Sequence, residues 1–139
     1  MTNKYRSGLE RRLAQQLDEC GIPFEYETIK LEFNLKKRGV CSDCGSKSVK
    51  LTRTYNPDFI FGDGAVIVEA KGRFTSPDRT KMKAIKEEHP DRDIRMLFQR
   101  DNWVTSKKKQ KYSDWCKKYG IPYAFKEFPK EWIRELKNL

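Results

Sequence analysis

The chain is short of histidine, of acidic residues and of long apolar runs. His89, in "EEHP", is the only histidine. It falls where a helix ends, so it reads as a helix-terminal residue and not as a general base. No apolar run approaches the roughly 20 residues that a membrane span needs. The N-terminus, "MTNKYRSGLERR", has no apolar signal-peptide core. These absences predict an intracellular protein with no membrane partner. There are only four cysteines, Cys20, Cys41, Cys44 and Cys116. In that compartment they are reduced thiols or metal ligands, not disulfides. Cys20 and Cys116 fall on helices and read as plain buried apolar residues. Asp plus Glu total 20 against 30 for Lys plus Arg, a formal net charge of +10. That surplus points to a polyanionic partner, nucleic acid by default; a merely soluble basic protein is the alternative.

A length of 139 residues favours a single domain over 1–139, and 37% apolar residues give it a modest core. "SGLERRLAQQLDECG" predicts a helix, with Leu9, Leu13, Leu17 and Cys20 on one stripe. Ser7 is its N-cap candidate, Gly21 its stop, and Glu10 fits a capping box with Ser7. "IPFEYETIKLEFNL" predicts one or two strand segments whose phase shifts near Thr28. The stretch 35–53, "LKKRGVCSDCGSKSVKLTR", reads as a polar connector or insertion. "TYNPDFIF" and "AVIVEAKG" predict antiparallel strands joined at "GDG". A helix capped by Ser76, a strand "DIRMLFQ", the basic loop "RDNWVTSKKKQKYS" and small helices follow. That order predicts an α/β fold, a mixed β-sheet flanked by helices.

The most apolar stretch, "NPDFIFGDGAVIVEAKG", also carries three charged residues. Buried charges are costly unless they are paired or bind a metal. On a strand, Glu69 and Lys71 share a face, while Val66, Val68 and Ala70 face the other way. The short hairpin brings Asp58 of the neighbouring strand to Glu69. Two carboxylates so close repel, and a hard divalent cation such as Mg²⁺ relieves that repulsion. A lysine beside them serves phosphodiester hydrolysis. A plain cross-strand ion pair is the equally simple alternative.

"PDF" followed by "VEAKG" resembles the PD-(D/E)xK nuclease motif. With "YRSGLE", "GIPFEYE", "EEHPDRDIRMLF", "YGI" and "PKEWI", the chain is similar to the phage endonuclease I family of Holliday-junction resolvases. The resemblance runs from about Tyr5 to Trp132. It implies a restriction-endonuclease-like core in a segment-exchanged homodimer that nicks four-way junctions and other branched DNA symmetrically, leaving 5′-phosphates. It implies Mg²⁺, with Mn²⁺ a substitute, on Asp58 and Glu69. Lys71 is then the catalytic lysine, Glu10 completes the acidic site, and Glu25 is a further acidic position nearby. Each composite site takes Glu10 from one subunit and the other three residues from its partner. The bland readings are a capping box for Glu10 and a solvent-facing strand glutamate for Glu25. The resemblance also implies the cytoplasm of an infected bacterial host and a place in DNA recombination.

The chain departs from the family at 35–53, which is longer than the usual connector and carries "CSDCG". Cys41 and Cys44 supply half a structural Zn²⁺ site. They pair with the same residues of a second subunit, combine with ligands of their own chain, or bind nothing. Candidate phosphate contacts are Arg6, Lys36, Lys37, Arg38, Arg73, Arg79, Lys81, Lys107, Lys108 and Lys109, against a solvated face as the plain reading of each run. Without a recognition-helix signature, shape and not base sequence is the expected readout. Two other functions fit: a zinc-stabilised architectural protein that binds junctions without cutting, and a mismatch or restriction-type nicking endonuclease.

Overall fold

Apolar spacing of three and four residues gives α1 (Gly8–Glu19), which buries Leu9, Leu13 and Leu17. Full burial of one such leucine is worth about 1.5–3 kcal/mol. The Ser7 hydroxyl accepts from the Glu10 amide at 3.1 Å. The reciprocal half of the expected capping box does not form, because the Glu10 carboxylate accepts instead from the Arg6 amide and the Tyr26 hydroxyl. In the computed structural model, residues 5–38 and 48–139 are described, with backbone alone for 35–38 and 48–51.

The expected phase shift near Thr28 is a complete break. β1 (Glu25–Tyr26) and β2 (Leu31–Arg38) belong to different sheets. The chain turns at Glu27, which has φ +55°. β3 (Ser48–Tyr55) pairs antiparallel with β2, from Leu31 opposite Tyr55 to Arg38 opposite Ser48. The described parts of the stretch read as a polar connector, 35–38 and 48–53, are therefore strands of a two-stranded ribbon. Its polar composition hid it, since only the inner end, Leu31, Phe33 and Tyr55, is buried among the described side chains.

β4 (Phe59–Phe61) and β5 (Val66–Lys71) pair antiparallel as expected, Phe59 opposite Val68 and Phe61 opposite Val66. Gly62, Asp63 and Gly64 between them all have positive φ, which two glycines make cheap. α2 (Ser76–Glu88) is capped by Thr75, one residue before the expected Ser76, and Asp78 completes its capping box. His89 caps the far end, as expected, with Nε2 2.7 Å from the Glu32 carbonyl oxygen. β6 (Asp93–Phe98) runs parallel to β5, and β7 (Tyr123–Phe125) parallel to β6. α3 (Tyr112–Tyr119) lies between β6 and β7, and α4 (Lys130–Lys137) follows.

The mixed five-stranded sheet has the order β1-β4-β5-β6-β7. On one face α1 and α4 pack against Phe59, Phe61, Val66, Val68 and Ala70. On the other, α2, α3 and the buried end of the ribbon pack against Ile67, Ile94, Met96 and Phe98. The fold class is the expected one. Cys116 is fully buried, its thiol pushed up to about 12 by burial, whereas Cys20 caps α1 and is only half-buried.

Candidate active site

Strand alternation places the site. Val66, Val68 and Ala70 of β5 point to the α1 face, so Glu69 points into the layer that holds β3 and α2. Asp58 precedes β4, and its Oδ2 accepts from the Ala70 amide at 2.9 Å, which ties it to the middle of this motif. Asp58 and Glu69 lie within hydrogen-bonding reach of each other. Glu69 Oε2 accepts from the Tyr55 hydroxyl of β3. Glu10 completes the cluster from α1, and its charge is felt at Asp58. Asp58, Glu69 and Glu10 are 6%, 4% and 6% exposed, so three carboxylates converge in a place that water barely reaches.

That burial governs their chemistry. Asp58 is pushed up to about 8, by desolvation first and then by the charge of Glu69, with Glu10 adding to it. The Ala70 amide opposes the shift without cancelling it. Glu69 is also raised by burial, which outweighs the Tyr55 hydroxyl and the charges of Lys71 and Lys81. Near neutral pH this pair holds a proton. Burial alone would lower Lys71, but Glu69 and Asp78 outweigh it and keep it a cation. Its Nζ lies 3.4 Å from Asp78 Oδ1 and 4.0 Å from Glu69 Oε1.

The donor set suits a hard cation. Among the described residues no group of three or more His, Cys, Asp or Glu side chains is arranged to hold a metal ion. Asp58 and Glu69 form a two-carboxylate pair instead, which is the usual protein share of a Mg²⁺ site that keeps its waters. Each gives one oxygen to a protein donor, Glu69 to the Tyr55 hydroxyl and Asp58 to the Ala70 amide. A cation between them would replace the shared proton.

Other expected residues divide. A single chain brings Glu10 to Asp58, where the resemblance implies that this helix comes from a second subunit. Exchange of α1 between two copies would preserve the same contacts. Glu25 is not brought to the cluster. It is exposed and accepts from the Thr28 hydroxyl at 2.9 Å, while its neighbour Tyr26 turns inward to Glu10. Arg6 is exposed beside the cluster and pairs with Glu27 at 3.1 Å. The Lys81 ammonium lies 4.7 Å from the centre of the Tyr55 ring, against the site and not out in solvent. Arg79 donates to the carbonyl oxygens of Phe74 (2.6 Å) and Val104 (3.5 Å), so it ties a loop to α2. Arg73, Lys107, Lys108 and Lys109 are exposed. The side chains of Lys36, Lys37 and Arg38, and all of Cys41 and Cys44, lie outside the described residues.

Sequence reading missed Tyr55, Asp78 and the role of Tyr26. Asp78 could have been found: "TSPD" offers Thr75 as the cap, which puts Asp78 one turn from Lys71's strand end. Tyr55 had no such signal, because it reaches Glu69 through a ribbon that looked like a loop.

A model of the phage endonuclease I family matches residues 1–139. Endonuclease I of Escherichia phage T7 is 37% identical over 135 residues, covering 96% of this chain and 81% of that protein. Endodeoxyribonuclease 1 of Enterobacteria phage T3 is 34% identical over 135 residues, covering 96% and 80%. With the motif order, the mixed sheet and the converging carboxylates all in agreement, the chain belongs to the phage endonuclease I family.

Proposed function

We propose that this protein is a divalent-metal-dependent endonuclease that resolves four-way DNA junctions by paired nicks, leaving 5′-phosphates. The observation that carries the reading is the buried Asp58–Glu69 pair with the Lys71 cation beside it. A carboxylate pair that is neutralised only by a proton is a poor structural device, since an apolar pair would serve better. It is a good receptor for a cation and, through it, for a phosphodiester. The name of the phage T3 relative, endodeoxyribonuclease 1, supports DNA as the substrate, and the +10 charge agrees with it.

When bound on Asp58 and Glu69, Mg²⁺ would supply charge neutralisation and Lewis acidity at the scissile phosphate. The chain's own groups do the rest. Lys71 orients the attacking water and faces the charge that grows on the phosphate oxygens. Asp78 and Thr75 hold Lys71 in place from α2. Tyr55 fixes the carboxylate of Glu69, and Tyr26 that of Glu10. Glu10 closes the third side of the cluster.

Two sites suit the two symmetric cuts that a junction needs, so the reading includes a homodimer with exchanged segments. It also includes one structural Zn²⁺ held by Cys41 and Cys44 of both copies, which makes up the four ligands such a site requires. The architectural and nicking alternatives make different predictions. A labelled four-way junction and a linear duplex of the same sequence are incubated with Mg²⁺ or EDTA. Paired nicks in the junction alone, and only with Mg²⁺, are expected. Equal nicking of the duplex would favour a less selective nickase, and binding without cutting in any divalent metal would favour the architectural protein.

Tyr55→Phe tests the support of the metal pair. Loss of the hydroxyl removes the donor on Glu69, and such outer partners are worth about 10- to 100-fold in metal affinity or activity. The Mg²⁺ concentration for half-maximal cleavage is expected to rise about tenfold, with junction affinity in EDTA unchanged. An unaltered Mg²⁺ titration would remove Tyr55 from the site.

A further inference from the structure

A cavity of about 380 Å³ opens beside the end of β5, between the start of α2 and the loop that follows β6. Its volume is in the range of small-ligand sites, roughly 300–1,000 Å³. Arg73, Arg79 and Lys108 line it, with Thr75, Ser76 and Thr105, and no acidic residue is among its walls. Arg73 and Lys108 form no ion pair among the described residues. A larger cavity of about 550 Å³, by Arg12 and Gln99, differs in that the Glu127 carboxylate is among its walls.

One wall is Trp103. Of the three tryptophans, Trp115 and Trp132 are buried, at 5% and 8% exposure, while Trp103 stands 43% exposed. Its loop is not slack. Trp103 pairs as an isolated bridge with Lys111, the Val104 amide donates to the Gln110 carbonyl at 2.7 Å, and Arg79 holds the Val104 carbonyl from below. The Lys111 ammonium lies 5.2 Å from the indole centre, and Lys111 is not among the residues that line the cavity, whereas Trp103 is. A large aromatic surface is thus open to water beside two cations, Arg73 and Lys108, that form no ion pair among the described residues.

The cavity is also joined to the reacting centre. Arg73 follows Lys71 by two residues, and Thr75 carries the Asp78 carboxylate that pairs with Lys71. A strand whose phosphate lies at Lys71 would send its neighbouring nucleotide here.

We propose that this cavity receives one unstacked nucleotide next to the cleaved phosphate, its base stacked on Trp103 and its phosphate on Arg73 and Lys108. The inference rests on the DNA-cleaving reading above and adds to it a base-stacking subsite. Such a subsite favours branched DNA, because a base beside a branch point costs less to unstack than one inside a continuous duplex. Stacking tolerates any base, so selectivity would follow DNA structure and not sequence.

The test pairs a protein change with a DNA change. Junctions carrying one abasic residue, moved across the nucleotides flanking the cut, are bound in EDTA by wild type, Trp103→Ala and Trp103→Phe. Wild type is expected to lose about tenfold in affinity at one abasic position. Trp103→Ala is expected to lose about the same on the intact junction and nothing further at that position, and Trp103→Phe to recover most of it. Arg73→Ala should weaken all junctions alike and reduce the salt slope by about one. Trp103→Leu, which keeps apolar bulk, replaces the alanine variant if that one does not fold. Wild-type affinity in Trp103→Ala, or losses from ring and base that multiply at every position, would overturn the subsite. Wild type that fails to cut the intact junction in Mg²⁺ would end the resolvase reading as well.

Discussion

Lys71→Ala is expected to lower junction cleavage by about a thousandfold, with junction binding in EDTA held within a few-fold. Lys71 is the one cation within 4.0 Å of the Asp58–Glu69 cluster among the described residues. It is only partly exposed, and two carboxylates keep it charged. Its charge acts on the reacting phosphate in a place that excludes most water, where one ionic contact counts for more than on an open surface. Binding draws instead on many surface cations, so removing one of them changes affinity little. The fold should tolerate the change, since Lys71 ends β5 and is its only residue that is not buried. Single-turnover cleavage and gel-shift titration of the same junction separate the two effects. A variant that cuts at the wild-type rate would return Glu69 and Lys71 to a plain ion pair.

Asp58→Asn is expected to abolish cleavage and yet stabilise the metal-free protein at alkaline pH. The folded carboxyl titrates at about 8, against an ordinary value of about 3.9 in the unfolded chain. Between those values the folded state holds a proton that the unfolded state lacks, so stability falls as pH rises through the window. The loss is complete above about pH 8 and absent below about pH 4. Asparagine keeps an acceptor for the Ala70 amide and carries no charge, so it escapes that loss. About four pKa units set a ceiling near 6 kcal/mol, and relaxation around the site reduces the realised gain to about 2–3 kcal/mol. Unfolding at pH 4 and pH 8.5 in EDTA should show the variant's advantage growing across that range, with most of it present only at the higher pH. Adding Mg²⁺ should raise wild-type stability and leave the variant nearly unchanged, because only wild type keeps the full ligand pair. A variant less stable than wild type at pH 8.5 in EDTA would mean that Asp58 is held by charge pairing and not strained by burial.

Much of this site was legible from residue order, and the boundary has a physical cause. Residue order puts Glu69 and Lys71 on one face, Asp58 across a short turn from them, and Leu9, Leu13 and Leu17 on the buried side of α1. Those statements need only a two-residue strand period, a helical period and a glycine turn, all local properties. Long-range packing set the rest. It took the Glu10 carboxylate from its capping box and gave it to Tyr26. It brought Tyr55 to Glu69 through a ribbon whose polar sequence resembles a loop, and it turned Glu25 to solvent. It also stood Trp103 open beside Arg73. Each of these joins residues that no periodicity links. The shift of Asp58 has the same origin, since β3 and α1 take the water away from it, and desolvation cannot be read from any one stretch of chain.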